Sequence, residues 1–346
     1  MSRTLVNELN PATDVLKLFT IFMQNKKKIL VTGGAGFIGS HLIDSLLENG
    51  HTVVCVDDLS CGRTENINHC LSNSNFKFIQ INILERSELD SIFQKHIFDS
   101  VFHLVTNPTV HGGVKDPSLD VNKTFLTAFF VLECMRKYSV KEIIFFSSPA
   151  VYGERSDGLR EDMGPLFPIS PLGATKLSAE ILISSFSRMY GLQSWIIRPP
   201  NVTGERGTHG VVFDFINKLI TDKKKLIILG DGKQEKPYIY VRELISGVLF
   251  IWENARENFN LFNIAPHDDA VTVLRIAEIV IEEMGLHNVA FEHTPGKGGW
   301  LGDVPEYRYD VSKLSQLGWS TSLSSEEAIR IAARRQILFL KSLKSE

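Results

Sequence analysis

Hydrophobic positions follow two alternating patterns from residue 28 onward. Short continuous apolar runs are typical of strands that are buried on both faces: KILVT, TVVCVD, FKFIQ, SVFHLV, EIIFFSS and SWIIR. Most of these runs are separated by segments with a helical spacing of apolar residues, such as TAFFVLECMRKY and KLSAEILISSFSRMY. Strands that alternate with amphipathic helices form parallel sheets covered on both faces, so the sequence predicts a doubly wound α/β fold.

The composition of the sequence changes after Arg198. The stretch RPPNVTGERGTHG is rich in Pro, Gly and polar residues, and the elements that follow it are shorter and more mixed. We therefore predict an N-terminal extension at 1–26, a first domain at 27–198 and a smaller substrate-binding region at 199–346. Elements from about 238–265 are expected to return to the first domain.

Composition and charge are those of an ordinary globular protein. The chain has 346 residues, of which 43% are apolar and 22% charged, with a formal net charge of −3. Its Lys and Arg residues form no basic stripe, so we expect no nucleic-acid partner. No apolar run approaches the ~18–20 residues that span a bilayer, and the start of the chain lacks a signal-peptide cleavage site. We expect a cytoplasmic protein without a membrane partner.

Cysteine spacing gives no sign of a metal or disulfide framework. The four cysteines, Cys55, Cys61, Cys70 and Cys134, include no C-x-x-C pair and have no His-rich neighbour. We expect them to be reduced thiols, and we expect no metal site.

A glycine-rich segment, TGGAGFIGSHL at 32–42, lies between the first predicted strand and the first predicted helix. Gly33 permits the tight turn, Gly36 lets the backbone approach a pyrophosphate, and Gly39 lets helix and strand pack closely. Asp57 ends the second strand eighteen residues after Gly39, where a carboxylate accepts hydrogen bonds from the adenosine ribose. A carboxylate there repels a 2′-phosphate, so the sequence predicts a Rossmann-type domain that prefers NAD to NADP.

These motifs occur in order with DDLSCGRTENI at 57–67, VFHLV at 101–105, SSPAVYG at 147–153 and the region around Lys176. Together they resemble the extended short-chain dehydrogenase/reductase family, specifically its nucleotide-sugar epimerases and dehydratases, such as UDP-glucose 4-epimerase. The resemblance implies tight NAD binding and transient oxidation of a sugar carbon by hydride transfer. It also implies a homodimer that associates through two helices of each subunit.

The resemblance assigns cofactor contacts along the first domain. They are Phe37 and Ile38 at the pyrophosphate turn, Asp58, Leu59, Ser60 and Gly62 at the adenosine, Asn82 and Ile83 at the adenine edge, and Leu104, Val105, Thr106 and Asn122 beside the cofactor. The sequence departs from the family in two places: Asn82 replaces the usual Asp, and Leu-Val-Thr at 104–106 replaces Leu-Ala-Ala. Asn122 also fits an ordinary Asn at the start of a helix.

The resemblance also assigns the reacting end of the site. Ser148, four residues before Tyr152, matches the hydroxyl that hydrogen-bonds the sugar oxygen. Lys176 matches the Lys of the family motif Y-x-x-x-K, in which the ammonium lowers the Tyr pKa from about 10 and also holds the nicotinamide ribose. The Tyr position is Leu172, which cannot accept a proton. The base could be Lys176 itself, Tyr152, His111, water or the substrate.

The C-terminal half resembles the nucleotide-sugar side of such a site. Asn201 would hold the diphosphate, together with backbone N–H groups of a helix that begins at about Val211. Lys236 and Pro237 occupy the places of the usual Arg-Asp pair, which keeps the charge but loses the bidentate fork. Trp300 stands where a second diphosphate-binding Arg is usual. Arg206 or Lys297 could supply the positive charge that these two changes alter.

The leading interpretation is an NAD-dependent nucleotide-sugar epimerase that acts at C4 of a UDP-sugar. A dehydratase of the same family usually carries an acidic pair after the catalytic hydroxyl, where this chain has Pro149 and Ala150. A decarboxylase would need a Glu in that segment and an Arg for the carboxylate. A non-catalytic NAD sensor is the alternative that Leu172 favours, whereas Ser148, Lys176 and Asn201 favour an enzyme.

Overall fold

The computed structural model describes residues 26–108, 110–155, 158–267, 269–296 and 304–342. In chain order its strands are β1 (Lys28–Thr32), β2 (Thr52–Asp57), β3 (Phe76–Gln80), β4 (Ser100–His103), β5 (Glu142–Phe146), β6 (Gln193–Arg198), β7 (Asn201–Thr203), β8 (Lys225–Ile228), β9 (Glu235–Lys236), β10 (Tyr238–Tyr240), β11 (Phe259–Asn263), β12 (Val271–Thr272) and β13 (Ala290–His293).

The helices cover both faces of the central sheet and build the C-terminal part. They are α1 (Phe37–Glu48), α2 (Arg86–Lys95), α3 (Val110–Lys115), α4 (Pro117–Asp120), α5 (Thr127–Lys137), α6 (Pro171–Tyr190), α7 (Val211–Thr221), α8 (Val241–Asn254), α9 (Val273–Glu283), α10 (Ser312–Leu317) and α11 (Ser325–Ser342). A π-helix occupies Val121–Leu126, and 3₁₀ turns occupy Thr64–Asn66, Asn68–Cys70 and Pro149–Tyr152. None of the described helices is long and apolar enough to cross a membrane.

The described part of the central sheet has seven strands in the order β3-β2-β1-β4-β5-β6-β11. Every neighbouring pair is parallel. One apolar cluster joins the sheet to α1 and α8, and a second joins its other face to α2, α5 and α6. The predicted doubly wound α/β fold is therefore confirmed. The strand order reverses between β1 and β4, which is where ligands bind in sheets of this kind, at the carboxyl ends of the strands.

The C-terminal part pairs short strands instead of forming a second large sheet. Strand β7 pairs with β10, β8 with β13, and β9 with β12. A third apolar cluster packs α7, α9 and α11 together. Strand β11 lies beside β6 at the edge of the central sheet, so the chain returns to that sheet after β10.

Helix α6 begins and ends at residues that favour those positions. The Ser170 hydroxyl caps its first turn by accepting a hydrogen bond from the Gly173 N–H at 3.2 Å, and Pro171 occupies the first helical position. Gly191 ends the helix with φ of +64°, a left-handed conformation that favours glycine. Both Leu172 and Lys176 lie within this helix, four residues apart, so they share one face one turn apart.

Candidate active site

A cavity of about 890 Å³ opens at the carboxyl ends of the central strands and continues toward α7. The predicted site residues that line it are Gly33, Gly36, Phe37, Ile38, Gly39, Asp57, Asp58, Ser60, Gly62, Asn82, Ile83, Leu104, Val105, Thr106, Ser148, Lys176, Asn201 and Lys236. The structure thus brings residues from both halves of the chain to one cleft.

Two predicted cofactor contacts, Leu59 and Asn122, lie outside the set of residues that line this cavity. Asn122 falls in the π-helix, whose wider turn changes which side chains face the cleft. Lys123 and Thr127 line the cavity instead. Leu59 contributes its backbone, since its N–H donates to Asp57 Oδ1 at 2.8 Å.

The glycine turn forms a cradle that fits a pyrophosphate. Gly33 has φ of +73°, and a Cβ on Gly39 would lie 2.3 Å from the Gly33 carbonyl oxygen. A Cβ on Gly36 would lie 3.2 Å from that same oxygen, at the mouth of the turn. Helix α1 has no side-chain cap and no acidic residue in its first turn. Its first N–H groups are therefore directed at the cavity, where the helix dipole favours an anion.

Asp57 is held rigidly at the end of β2. Its Oδ2 accepts a hydrogen bond from the Ala35 N–H at 3.0 Å, and its Oδ1 accepts from the Leu59 N–H at 2.8 Å. Burial raises the pKa of this carboxyl, and the two N–H groups oppose the shift. The remaining lone pairs of the Asp57 carboxylate can accept hydrogen bonds from ribose hydroxyls. The cradle and Asp57 together therefore fit the dinucleotide that the sequence predicts.

Replacing Asp57 by Asn should relax the preference for NAD over NADP. Asn keeps an acceptor for the Leu59 N–H but removes the charge that repels a 2′-phosphate. We expect the ratio of the NADP and NAD dissociation constants to fall about tenfold, equivalent to ~1.4 kcal/mol. Calorimetry measures both constants. Asp58→Asn is the matched control because it removes the same charge one residue later, and an equal shift in that variant would contradict the assignment to Asp57.

Lys176 is buried at the centre of the site. Its Nζ donates a hydrogen bond to the Phe146 carbonyl oxygen at 2.6 Å and lies 4.8 Å from the centre of the Phe145 ring. Burial lowers the pKa of Lys176 to about 7, against the opposing charges of Glu180 and Asp120. A cavity-lining amine with such a pKa can both accept and release a proton near neutral pH.

Leu172 and Ser148 complete the reacting end of the cleft. Leu172 is buried and lines the cavity one helical turn before Lys176, where its side chain offers carbon atoms alone. The Ser148 hydroxyl oxygen accepts a hydrogen bond from the Ala150 N–H at 3.2 Å. This contact leaves the Ser148 proton available for donation to a ligand oxygen.

Tyr152 is unsuited to replace the missing phenol. Its hydroxyl donates to Asn263 Oδ1 at 2.7 Å, and its ring lies 4.6 Å from the guanidinium carbon of Arg198. Burial raises the pKa of Tyr152 to about 12, although Arg198 opposes the shift. The side chain is fully buried and is not among the residues that line the described cavity. Tyr152 is therefore less suited to the role of base than Lys176, which lines the cavity.

The nucleotide-sugar side of the cleft is built around α7. The helix begins at Val211 after Gly210, whose φ is +95°, and no side chain caps it. Asn201 lies close by and donates to the Tyr307 hydroxyl at 3.4 Å. Arg206 is not among the residues that line the cavity, and its Nη1 pairs with Asp44 at 2.8 Å. The other predicted contributors lie outside the described residues: the His111 side chain, Lys297 and Trp300.

Sequence reasoning missed several polar residues of the cavity wall. They include Lys123, Thr127, His209, Lys218 and Gln234. Lys218 is the residue whose position on α7 could have indicated it, since it lies two turns after the helix start at Val211. Lys123 gives no such signal, because its orientation depends on the π-helix, which has no sequence signature comparable to a glycine turn.

The fold and the site define a dinucleotide-dependent enzyme whose cofactor cleft continues into a second, polar binding cleft. The chain belongs to the NAD dependent epimerase/dehydratase family, whose model matches residues 29–265. Its cofactor is accordingly NAD.

Known proteins similar to this chain cover most of its length. A putative UDP-glucose 4-epimerase of Methanocaldococcus jannaschii is 33% identical over 309 residues, 87% of this chain and 96% of the relative. The structure of UDP-glucose 4-epimerase from Thermotoga maritima with UDP-glucose is 33% identical, with a TM-score of 0.80 and coverage of 91% and 99%. UDP-glucuronic acid 4-epimerase from Bacillus cereus, in complex with UDP-glucuronic acid and NAD, is 30% identical, with a TM-score of 0.80 and the same coverage.

Proposed function

We propose that this chain is an NAD-dependent epimerase that inverts C4 of a UDP-sugar. The observation that carries the proposal is the single cleft in which the cofactor cradle is continuous with Ser148, Lys176, Asn201 and Lys236. An NAD-binding protein without a second ligand would have no use for that continuation. The names of the similar proteins support a UDP-sugar, with both glucose and glucuronic acid represented.

Bound NAD would supply a hydride acceptor that later returns the hydride to the same sugar carbon. The Gly33–Gly39 turn and Asp57 would hold it. Ser148 would donate its hydroxyl proton in a hydrogen bond to the sugar oxygen and so orient it. Lys176, in its neutral form, would take the sugar hydroxyl proton at Nζ and later give it back. Leu172 would exclude water from the space that a phenol occupies in the family motif.

Epimerisation is favoured over dehydration by the segment that follows Ser148. Elimination of water needs an acid and a base in addition to the groups that assist oxidation. Dehydratases of the family usually carry these groups as an acidic pair directly after the catalytic hydroxyl. In this chain Pro149 and Ala150 occupy the first turn of the Pro149–Tyr152 3₁₀ helix. Neither side chain can transfer a proton.

Purified protein supplied with NAD should convert a UDP-sugar into its C4 epimer. The experiment uses a panel of UDP-, GDP- and dTDP-sugars followed by NMR, which distinguishes an inverted C4 from a dehydrated or decarboxylated product. A 4-keto-6-deoxy product would replace the epimerase proposal with a dehydratase. Binding of NAD with every nucleotide sugar left unchanged would support the sensor that Leu172 suggests.

We expect the chain to form a homodimer through α5 and α6. Helix α6 buries one apolar face against the sheet, yet Ile181 and Met189 on the same helix are 63% and 69% exposed. Exposed apolar residues on a helix whose core face is already satisfied indicate an interface. Light scattering at micromolar concentration should report a dimer, and Ile181→Glu should convert it to a monomer. Leu338→Glu is the control, because Leu338 is an exposed leucine (57%) on α11. A parent protein that is monomeric would contradict the proposal.

A further inference from the structure

Three side chains with metal-ligating atoms meet beside α1, and none of them lines the cofactor cleft. Asp44 lies on α1, whereas His69 and Cys70 lie on the 3₁₀ turn Asn68–Cys70. Their ligand atoms all lie within 4.8 Å of one another. The His69 Nε2 is 2.6 Å from Asp44 Oδ1 and 3.3 Å from Cys70 Sγ, and Cys70 Sγ is 3.7 Å from Asp44 Oδ1.

This arrangement is not that of a nucleophilic triad. In a triad, the imidazole uses one nitrogen toward the nucleophile and the other toward the carboxylate. Here Nε2 of His69 faces both Asp44 and Cys70. One nitrogen, one sulfur and one oxygen that converge on a common point are instead the ligands that Zn²⁺ takes in proteins.

The separations are close to those of a tetrahedral zinc site. Zinc bonds of ~2.0–2.3 Å place neighbouring ligand atoms ~3.3–3.6 Å apart. The two separations that involve Cys70 Sγ are 3.3 and 3.7 Å. The separation between His69 and Asp44 is shorter because it is a hydrogen bond, and it lengthens when a metal replaces that proton. The His69 side chain is 49% exposed, so it has room to move.

Arg206 orients the Asp44 carboxylate for metal binding. Arg206 Nη1 lies 2.8 Å from Asp44 Oδ2, which leaves Oδ1 directed at His69 and Cys70. Metal-binding carboxylates are commonly oriented by a hydrogen bond to the oxygen that does not bind the metal. Cys70 is 4% exposed and His69 half exposed, so the cluster has a buried side and an opening to solvent.

We propose that Asp44, His69 and Cys70 form a Zn²⁺ site, with a water molecule as the fourth ligand. Binding replaces the Cys70 S–H bond with a Zn–S bond and releases that proton to solvent, while His69 binds through Nε2 with its proton on Nδ1. No electron transfer is involved. The metal links α1, which carries the pyrophosphate cradle, to the 3₁₀ turn that follows the adenosine loop.

The expected absence of a metal site rested on cysteine spacing, and that spacing could not reveal this cluster. Asp44 lies 25 residues before His69 and on a different element. The adjacent His69 and Cys70 have no partner within the short spacing of known zinc motifs. The fold, by pairing β1 with β2, brings α1 against the turn that follows.

The test is a titration of chelator-treated, reduced protein with Co²⁺, followed by displacement with Zn²⁺. We expect one Co²⁺ per chain, a thiolate-to-cobalt charge-transfer band, the strong visible bands of tetrahedral cobalt, and their loss as Zn²⁺ binds. Cys70→Ser should abolish the charge-transfer band, and His69→Asn should weaken binding at least tenfold. Cys61→Ser, which removes an exposed thiol from the neighbouring loop, should keep the band.

Two results would overturn the proposal. One is parent protein that binds no Co²⁺ or Zn²⁺ after dialysis, measured as metal content per chain. The other is a charge-transfer band that persists in Cys70→Ser or disappears in Cys61→Ser. His69 lies at the surface, so His69→Asn keeps the test valid should Cys70→Ser fold poorly. Neither measurement depends on turnover, so the metal site stands or falls separately from the epimerase.

Discussion

Lys176→Met should abolish turnover and leave nucleotide-sugar binding nearly intact. Met matches the length and apolar stem of Lys176, so the buried space in front of Phe146 stays filled while the amine is lost. Proton transfer by a positioned group contributes about 10²–10⁴-fold to a rate, so we expect kcat to fall by about 10³-fold, the middle of that range. Stopped assays measure kcat, and calorimetry with a UDP-sugar measures binding.

The pH dependence of the parent enzyme independently tests whether Lys176 is the base. Burial lowers the pKa of Lys176 to about 7, and Glu180 and Asp120 oppose the shift. The buried His103 on β4 is the third titratable group near Lys176; burial and then the Lys176 charge lower its pKa to about 3, so it stays neutral. Lys176 must be neutral to accept a proton. We therefore expect kcat/KM to rise as pH increases through about 7 and then to level off.

Variants at Leu172 test whether the site retains the geometry of the family motif. Leu172→Tyr restores a phenol one turn before Lys176, and Leu172→Phe is matched to it in shape without the hydroxyl. A latent epimerase should turn over faster with Tyr than with Phe. Equal rates in the two variants would show that a hydroxyl on this face of α6 does not reach the reacting atoms.

Full activity in Lys176→Met would contradict the assignment of the base to Lys176.

The elements that could be predicted from the sequence are those set by local rules. The apolar run KILVT and the glycine turn at 32–42 specify a strand, a tight turn and a helix through the conformational freedom of particular residues. Gly33 and Asp57 accordingly lie where the sequence places them, at the turn and at the end of β2.

The features that sequence reasoning missed depend on contacts between distant residues. Nothing in SSPAVYG indicates that Tyr152 is held by Asn263, which lies 111 residues later. Arg206 is near Asn201 in sequence, yet its partner Asp44 is on α1. The orientation of Lys123 follows from a π-helix. For these residues, tertiary pairing decides whether the side chain faces the cleft, and spacing along the chain does not encode that pairing.

A buried ion pair next to the active site also depends on a contact between different elements of the fold. Arg198, the last residue of β6, donates to Glu180 Oε1 from Nε at 3.0 Å and to Oε2 from Nη2 at 2.5 Å. The Ser147 hydroxyl also donates to Glu180. Both charged residues are almost fully buried, at 2% and 4% exposure. The pair and Ser147 therefore fix α6, which carries Lys176, to the carboxyl ends of β5 and β6, next to Ser148.

Glu180→Ala should destabilise the fold strongly, because it leaves the Arg198 charge buried without its partner. Loss of one member of such a pair costs about 3–5 kcal/mol in the free energy of unfolding. Urea denaturation measures the change. Glu133→Ala is the control, since it breaks the exposed pair with Arg136, for which about 0–1 kcal/mol is expected. Glu180→Leu combined with Arg198→Met should recover most of the loss, because apolar residues of similar volume need no charge partner. If Glu180→Ala cost no more than Glu133→Ala, the pair would not be the anchor of α6.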